Sequence, residues 1–416
     1  MLDFQKKQPL IDQARDALLW LSKNRSGLLL LALIVRIFLF YIIVRLLYPI
    51  LIKSTKNNEK IVVSCTDVYY NGNSRAVFEY MQKYSCKYDC YWIAKNLHTF
   101  RILKKKGKKV FYVFSLLGIP YFLKTDVWIR THTGFGGLAL MPHKNYKVIQ
   151  LWHGIGPKAI SFSKKDYDIY DAWCVASKFS KQRHIELWNA PPEKLYVTGF
   201  ARMDALYNYL KMPKGKLLDE IGINKKEKII LHAPTFDVGL WPWGKEYEEF
   251  ERLCRFLKEK KLILILRLHP YAKIKKRKLK RIISKYKNVY WFDMSKEPDT
   301  MKLLAITDIL ITDWSSIYTE YFLTKKPIIF LEVNKKYFTE MRGKPEIPPE
   351  YRAGEIICNK DEFYEALKLV LKKGNRYEHD QDTLLRIIHG NVDGKASKRV
   401  IDVINNLIKT EKLNTK

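Results

Sequence analysis

The sequence predicts an α/β protein built from two Rossmann-like halves, and three observations lead to this prediction. Short runs rich in β-branched and aromatic residues alternate with helix-forming stretches, a rhythm typical of a parallel sheet wrapped by helices. The rhythm stops at a polar segment that contains Pro and Gly, KMPKGK at 211–216, and then restarts. A chain of 416 residues with 47% hydrophobic content is also long and apolar enough for two buried cores.

The predicted strands are all short and apolar. In the first half they lie at 61–65, 91–94, 110–114, 126–129, 147–152, 172–176 and 195–199. In the second half they lie at 228–234, 262–270, 289–292, 308–313, 327–331 and 354–358. Ligands of open parallel sheets collect beyond the carboxyl ends of the strands, so we expect the functional site in a cleft between the two halves.

The N-terminal region predicts two membrane-associated segments. Residues 1–26 have the pattern of an amphipathic helix on an anionic membrane surface, and 27–52 form a hydrophobic anchor. At about 1.5 Å per residue, the apolar run is long enough to match a hydrocarbon core of roughly 30 Å. Because Arg36 and Arg45 lie inside the run, the sequence leaves open whether it spans the membrane or lies in it. The globular domains are expected at 53–212 and 217–408.

Charge and cysteine content narrow the functional classes. Lys and Arg number 75 against 43 Asp and Glu, a formal net charge of +32, so nucleic acid, anionic lipid or phosphorylated substrates are expected partners. A run at 273–281 packs seven cations into nine residues; a solvated helix face is its commonest meaning, although nucleic acid and anionic lipid also fit. The six cysteines lack metal-site spacing with other Cys or His residues, which favours reduced thiols in the cytosol.

Three strands of the second half end in polar residues, which a parallel sheet would present to a ligand. These residues are Thr235, then Arg267 and His269, then Asp313, Ser315 and Ser316. The two serines precede a predicted helix whose free N-terminal amides favour a phosphate, unless one serine only caps that helix. Arg267 and His269 share one face of their strand and suit a diphosphate leaving group. A lone histidine is nevertheless more often a satisfied core residue.

The first half carries a second set of candidates after two of its strands. His153 follows the strand at 147–152 and is a candidate general base, since the ordinary pKa of histidine lies near 6.5. Gly154 and Gly156 would let the backbone approach a phosphate, and Lys158 makes the turn cationic. Arg202 and Asp204 follow the strand at 195–199.

Taken together, five sequence motifs make residues 71–330 resemble the CDP-glycerol glycerophosphotransferase family of teichoic acid primases and polymerases. The motifs are QLWHGIGPK, TGFARMD, HAPTF, RLHP and TDILITDWSSIYTEYFLTKKPIIF. The resemblance implies a GT-B-like architecture with an interdomain cleft and transfer of glycerol phosphate, or a related polyol phosphate, from CDP-glycerol with release of CMP. It implies no metal or other cofactor.

The same resemblance implies binding partners and a subcellular location. The acceptor would be a lipid-linked teichoic acid or capsule precursor, such as an undecaprenyl-diphosphate-linked saccharide. Anionic membrane lipids would be further partners and nucleic acid would not. The catalytic domains would lie on the cytoplasmic side of the cell membrane.

Residue by residue, the resemblance assigns roles to the candidates. His153 would be the catalytic base and His269 a second catalytic histidine near the donor pyrophosphate. The donor contacts would be Thr235, Arg267, Asp313, Ser315, Ser316 and Glu320. The acceptor or cleft contacts would be Gly154, Lys158, Arg202 and Asp204. The chain departs from the family pattern in WHGIGPK, where WHGTPLK is usual, and in Trp314, where Tyr is common.

Three other functions fit parts of the same sequence. A glycosyltransferase that uses a nucleotide sugar would share the architecture, because a fold does not determine a function. A membrane-tethered nucleic-acid-binding protein would explain the charge, and a non-catalytic scaffold would explain the fold. The sequence does not separate primase from polymerase, or glycerol from ribitol donors.

Overall fold

The structure is a computed structural model. It describes Ile42 and residues 60–414, apart from residues 68, 85–86, 114, 116–117, 119–120, 122–123, 133–145, 161, 225–226, 270–271, 294–296, 298 and 342. The predicted amphipathic segment at 1–26 and the predicted anchor at 27–52 therefore lie, except for Ile42, outside the described residues. Among the helices that the structure describes, none combines the length and the apolar composition that crossing a bilayer requires.

The first of two compact units comprises the described residues up to Trp152, together with 170–172 and 404–414. Its strands are hydrogen-bonded in the order β3-β2-β1-β4-β5, all parallel. They are β1 (Ile61–Asp67), β2 (Tyr88–Ala94), β3 (Val110–Tyr112), β4 (Val127–Arg130) and β5 (Lys147–Gln150), with helices α1 (Gly72–Tyr84) and α2 (Leu97–Lys105). Six of the seven β1 residues are buried, as expected for a parallel strand covered on both faces.

The second unit comprises residues 153–169 and 173–403 and begins with short elements. They are β6 (Ala159–Ile160), α3 (Lys164–Asp168), β7 (Ala172–Val175), α4 (Lys178–Trp188), β8 (Leu195–Val197), α5 (Arg202–Tyr209) and α6 (Lys214–Glu220). Strand β7 pairs in parallel with β8. Ser177 begins α4, because its side chain accepts a hydrogen bond from the backbone N–H of Ser180.

The same unit contains a six-stranded sheet in the order β11-β10-β9-β12-β13-β15, again all parallel. Its strands are β9 (Ile229–His232), β10 (Ile263–Leu266), β11 (Val289–Trp291), β12 (Ile309–Thr312), β13 (Ile328–Leu331) and β15 (Glu355–Ile357). The two-residue strand β14 (Lys344–Pro345) instead pairs with β6.

Helices follow β9 along the chain, and several of them contact strands of the six-stranded sheet. They are α7 (Glu246–Glu259), α8 (Lys276–Ile283), α9 (Thr300–Ile306), α10 (Ile317–Tyr321), α11 (Lys335–Thr339), α12 (Lys360–Lys373), α13 (Glu378–His389) and α14 (Ala396–Asn414). Phe250, Leu253 and Leu257 of α7 pack in one core with Leu264 of β10. The spacing of three and four residues places the α7 side chains on one face of the helix.

Both sheets follow the Rossmann strand order, in which the first strand lies between the second and the fourth. All thirteen predicted strands overlap an observed strand, so the predicted α/β fold with parallel sheets is confirmed. The GT-B-like arrangement of two domains with a cleft between them stays a prediction.

The division into two units does not coincide with the predicted linker. The first boundary falls between Trp152 and His153. Helix α6 begins at Lys214, inside the segment predicted as a linker at 211–216, because Pro213 at its N-terminal cap suits the start of a helix. The domain limits 53–212 and 217–408 stay a prediction.

The basic run at 273–281 becomes helix α8, which begins at Lys276. Leu279 and Ile282 are buried against the sheet, whereas Lys276 and Lys280 are exposed. This arrangement favours the interpretation of the run as a solvated helix face.

Five cysteines lie among the described residues and all are free thiols. Four are buried, and burial raises the pKa of Cys174 to about 12, which makes its thiolate inaccessible at neutral pH. Within the described part of the chain, no group of three or more His, Cys, Asp or Glu side chains is placed to hold a metal ion.

Candidate active site

The strand order of the six-stranded sheet reverses between β9 and β12, and two predicted site residues lie there. Asp313 follows β12 and Thr235 follows β9. The buried Asp313 carboxylate accepts hydrogen bonds from Thr235 N, at 2.9 and 3.0 Å, from Thr235 Oγ1 at 2.8 Å and from Ser315 N at 3.1 Å. Burial raises the pKa of Asp313 to about 6. Asp313 therefore joins the two strand ends and orients the following turn.

That turn, residues 313–316, is called the serine turn below. It leads into α10, which has only five residues and continues as a 3-10 helix at 322–324, shorter than the predicted helix. Ser316 occupies the N-terminal cap position but makes no side-chain capping hydrogen bond. The alternative that this serine only caps the helix is therefore wrong.

The residues 153–158, which we call the histidine turn, pack directly against the serine turn. A Cβ atom placed on Gly154 would lie 2.8 Å from Ser316 Oγ, and one placed on Gly156 would lie 2.9 Å from Ser316 Cβ. Thr319 Oγ1 lies 3.3 Å from the carbonyl oxygen of Ile155. The two glycines are needed because Ser316 occupies the adjacent space. The predicted approach of this backbone to a phosphate stays a prediction.

The backbone just before His153 adopts an unusual conformation. Trp152 has φ of 54°, a left-handed value that is rare for a bulky side chain. In the first unit, Asn73 Nδ2 holds this segment by donating to the carbonyl oxygens of Leu151, at 3.2 Å, and Trp152, at 2.7 Å. The half-buried His153 that follows has its Nδ1 atom buried.

Arg202 and Glu320 form a buried ion pair. Arg202 is the first residue of α5 and Glu320 lies on α10; their side chains are 14% and 2% exposed. The guanidinium also lies over the Phe200 ring, 5.6 Å from its centroid. Burial raises the pKa of the Glu320 carboxyl, and the charge of Arg202 opposes that rise. The structure thus pairs Arg202, predicted to contact the acceptor substrate, with Glu320, predicted to contact the donor substrate.

His269 lies beside an aromatic residue that sequence reasoning missed. The His269 side chain is exposed, so the alternative of a buried core histidine is wrong. Its ring centroid lies 5.3 Å from that of Phe236, and Lys158 Nζ lies 5.6 Å from the same Phe236 centroid. Phe236 directly follows Thr235, so its place after a strand end was the signal that could have identified it. His269, predicted to be catalytic, and Lys158, predicted to line the cleft, therefore both lie beside Phe236.

The side chains of Arg267 and Asp204 form hydrogen bonds with other parts of the protein. The Arg267 guanidinium is 7% exposed and donates to the carbonyl oxygens of Phe292 and Glu297, at 3.2 and 2.5 Å, and to Thr300 Oγ1 at 2.9 Å. Burial lowers the pKa of Arg267 to about 10, so it stays charged at neutral pH. The structure therefore gives Arg267 a role in holding the loop after β11.

The carboxylate of Asp204 accepts hydrogen bonds from the backbone N–H groups of Ala396, at 2.9 Å, and Ser397, at 2.7 Å. It thereby satisfies two of the free amides at the start of α14 and caps that helix. Asp204, like Arg267, therefore has a structural role in this protein.

Trp314, which stands where the family pattern commonly has Tyr, is accommodated by packing. The indole is fully buried, its Nε1 donates to the carbonyl oxygen of Val333 at 2.6 Å, and the Arg352 guanidinium lies 4.0 Å from its ring centroid. A cation stacked on a satisfied indole stabilises the serine turn from behind.

Comparisons with known proteins agree with this architecture. A family model described as CDP-Glycerol:Poly(glycerophosphate) glycerophosphotransferase matches residues 46–406. The teichoic acid poly(ribitol-phosphate) polymerase of Bacillus spizizenii is 26% identical over 370 residues, which are 84% of this chain and 56% of the relative. The teichoic acid glycerol-phosphate primase of Bacillus subtilis is 26% identical over 330 residues, 72% of this chain and 76% of the relative.

A solved structure shares the fold. The wall teichoic acid polymerase TagF aligns with a TM-score of 0.67 at 21% identity, covering 85% of this chain and 90% of that chain. The chain spans 56%, 59% and 62% of the length of three ribitol-phosphate polymerases that it matches, from Bacillus spizizenii and Staphylococcus aureus.

Proposed function

Because the chain belongs to the CDP-glycerol:poly(glycerophosphate) glycerophosphotransferase family, we propose that it transfers a polyol phosphate from a CDP-polyol to a lipid-linked teichoic acid or capsule precursor, releasing CMP. The polyol is glycerol or a relative such as ribitol. The names of the relatives as glycerol-phosphate and ribitol-phosphate enzymes support this choice, as does a structure of a TagF variant soaked with CDPG. The observation that carries the proposal is the packing of the histidine turn against the serine turn.

In the proposed reaction, an acceptor hydroxyl attacks the β-phosphorus of the donor. A new oxygen–phosphorus bond forms while the bond from that phosphorus to the bridging oxygen breaks, and CMP leaves with the bonding electrons. His153 accepts the hydroxyl proton. Since Nδ1 of His153 is buried, Nε2 is the nitrogen that meets the acceptor.

The donor phosphates lie, in this proposal, against the serine turn and the cluster of Lys158, Phe236 and His269. Ser315 and Ser316 are half-buried and offer hydroxyl groups, while Thr235 is fixed by Asp313 beside them. Lys158 supplies positive charge, and His269 supplies a hydrogen-bond donor, to the developing negative charge on the phosphate oxygens. Positioning and electrostatics of this kind provide most of the catalysis in phosphoryl transfer.

For Glu320 we propose a different role from the donor contact, suited to the ribose, that the family resemblance implied. It is 2% exposed and already pairs with Arg202. We assign it to positioning: the ion pair fixes α10, and with it the serine turn, to the start of α5. A carboxylate so deeply buried and paired is poorly placed to receive a ribose hydroxyl.

The proposed acceptor is linked to undecaprenyl diphosphate, and the proposed place of action is the cytoplasmic face of the cell membrane. The net charge of +32 supports attraction to anionic lipids and to a polyphosphate product. The apolar run at 28–52 supports membrane attachment.

The proposal is tested by measuring CMP release from CDP-glycerol and CDP-ribitol by the purified full chain with a lipid-linked acceptor. His153→Asn and His269→Asn are compared with His379→Asn, an exposed histidine on α13. We expect losses of about 10²- to 10⁴-fold for His153→Asn, the usual contribution of a general base, and no loss for the control.

Each alternative has its own outcome. Nucleotide release from a nucleotide sugar, with no release from either CDP-polyol, would establish a glycosyltransferase. Tight, salt-sensitive binding of nucleic acid without any release would establish a nucleic-acid-binding protein. Wild-type rates in His153→Asn would refute the assignment of the base.

A further inference from the structure

A cavity of about 500 Å³ lies at the carboxyl ends of β7 and β8, within the second unit. The residues after these strands, the start of α4, the end of α13 and Arg399 of α14 line it. Its volume falls within the usual range of small-molecule sites. None of the residues assigned to the transfer reaction above lines it, so the reaction leaves it unexplained.

The lining of the cavity is cationic. Lys178, Arg386 and Arg399 line it, and among the described lining residues there is no Asp or Glu. Lys178 is exposed, Arg386 is 77% exposed and pairs with Asp382 at 2.8 Å, and Arg399 pairs with Asp393 at 3.0 Å while 34% exposed. Three partly solvated cations around a concave surface raise the local concentration of anions.

The lining residue His389 constrains the ligand through hydrogen bonding, whereas the three cations constrain its charge. It also lines the cavity, it is 2% exposed, and its Nε2 lies 3.1 Å from Thr319 Oγ1. Thr319 Oγ1 has one hydrogen, which it gives to the carbonyl oxygen of Ser316 at 2.9 Å or of Ile155 at 3.3 Å. We assign this hydrogen to a carbonyl oxygen, so that Thr319 Oγ1 accepts the remaining bond and Nε2 of His389 carries the proton that it donates.

This tautomer makes Nδ1 of His389 a hydrogen-bond acceptor. The atom is buried and has no hydrogen-bond partner within the described protein. Burial, aided by the charge of Arg202, lowers the pKa of His389 to about 3, so the ring is neutral at cellular pH. His389 lines the cavity, and an unsatisfied acceptor on its ring is suited to a ligand that brings a hydroxyl or N–H donor.

We propose that this cavity binds a polyol phosphate unit of the acceptor chain, an inference that rests on the proposed function. The phosphate lies among Lys178, Arg386 and Arg399, and a polyol hydroxyl donates to Nδ1 of His389. Val197, 42% exposed, gives the carbon backbone of the polyol an apolar wall. A polyol phosphate chain combines regularly spaced anions with hydroxyl donors, which is the combination that the lining needs.

The position of His389 also connects the cavity to the transfer site. Its partner Thr319 lies on α10 and contacts Ile155 of the histidine turn and Ser316 of the serine turn. Two side chains, those of His389 and Thr319, therefore connect a chain held in the cavity to both turns. The geometry suits a subsite that holds the growing acceptor while its end reacts.

The charge part of the proposal is tested by calorimetric binding of a soluble, lipid-free glycerol phosphate oligomer to the full chain. Arg386→Gln and Lys178→Gln are compared with Lys368→Gln, an exposed cation on α12 outside the cavity. We expect each cavity variant to raise the Kd about threefold to tenfold, the loss of one partly solvated charge-assisted hydrogen bond, and Lys368→Gln to leave it unchanged. Equal affinity in all variants, or no oligomer binding by the wild type, would overturn the proposal.

The hydroxyl part is tested with His389→Gln and an oligomer of propanediol phosphate, which lacks the free hydroxyl. Gln keeps a donor for Thr319, but its only acceptor is the amide oxygen, which does not stand at the position of Nδ1. We expect His389→Gln to weaken binding of the glycerol oligomer about fivefold or more, through loss of one buried hydrogen bond, and to leave the deoxy oligomer unaffected. Equal loss for both oligomers would overturn this part, and a melting temperature for each variant shows that it is folded.

Two further outcomes separate competing ligands. If inorganic phosphate binds as tightly as the oligomer, the cavity is a general anion site and the proposal fails. If CDP-glycerol binding weakens in Arg386→Gln and Lys178→Gln as much as oligomer binding does, the cavity belongs to the donor and the proposal fails. Oligomer binding does not depend on CMP release, so failure of the proposed transfer reaction is seen separately.

Discussion

Gly156→Ala is the sharpest perturbation of the contact between the histidine turn and the serine turn. A Cβ atom at this position would lie 2.9 Å from Ser316 Cβ and 3.2 Å from Ser316 Cα. Ordinary carbon contacts are roughly 3.5–4.0 Å, so the two turns must separate by about 0.6 Å. Backbone cannot rotate aside as a side chain does, and we expect the overpacking to cost about 1–3 kcal/mol.

Two other glycines provide matched controls for this substitution. At Gly154 the clash is with Ser316 Oγ, which can rotate, so Gly154→Ala is expected to cost less. Gly215 lies in α6 with no atom within 4 Å of a built Cβ, and Gly215→Ala is expected to be neutral or stabilising by about 0.5–1 kcal/mol. The expected order of destabilisation is therefore Gly156, then Gly154, then Gly215.

Calorimetric melting and CMP release measure the two consequences. For a domain of this size about 1 kcal/mol lowers Tm by roughly 2–4 °C, so Gly156→Ala is expected to melt about 2–12 °C below the wild type. Since a misplacement of about 1 Å can reduce turnover roughly 10²-fold, we expect kcat to fall about tenfold. If Gly156→Ala melts and turns over like Gly215→Ala, the packing of the two turns does not position the reacting groups.

Three further substitutions probe groups around the site. Arg202→Met leaves the buried Glu320 carboxylate uncompensated and is expected to cost about 3–5 kcal/mol in chemical denaturation, most of which Arg202→Met with Glu320→Leu restores. Asp204→Ala removes the cap of α14 and is expected to cost about 0.5–2 kcal/mol in thermal unfolding, without changing the KM for the donor. The pKa of Asp313 is about 6 when folded against an ordinary 3.8, so its stabilising effect is complete below pH 3.8 and is lost as pH rises through 6. That loss, about 3 kcal/mol, is expected to be absent from pH-dependent denaturation of Asp313→Asn, and identical pH profiles would contradict it.

The strands were predictable because each is specified by its own few residues. Most residues of the run IVVSC at 61–65 and of the run at 308–313 are β-branched or apolar, and both runs contain strands that are nearly or fully buried. The placement of Thr235 and Asp313 at neighbouring strand ends followed from the same pattern. The two-residue pairing of β6 with β14 was not predictable, because neither segment has a periodicity.

The contacts of the site depend on residues far apart in the chain, and the sequence did not reveal them. Asp204 was interpreted as an acceptor residue, but its partners lie 192 and 193 residues later. Arg202 and Glu320, 118 residues apart, were assigned to different ligands and instead pair with each other. Gly156 was predicted to let the backbone approach a phosphate, and only the structure shows that this glycine also packs closely against Ser316.

The mass of the product formed from a defined lipid-linked acceptor tests the central claim most directly. The purified full chain is incubated with CDP-glycerol and, separately, with CDP-ribitol, and the lipid fraction is analysed. The proposed function predicts an acceptor that is heavier by one polyol phosphate, or by a ladder of them, with CMP in equal amount. An acceptor of unchanged mass with both donors, which gains a sugar when a nucleotide sugar is supplied, would contradict it.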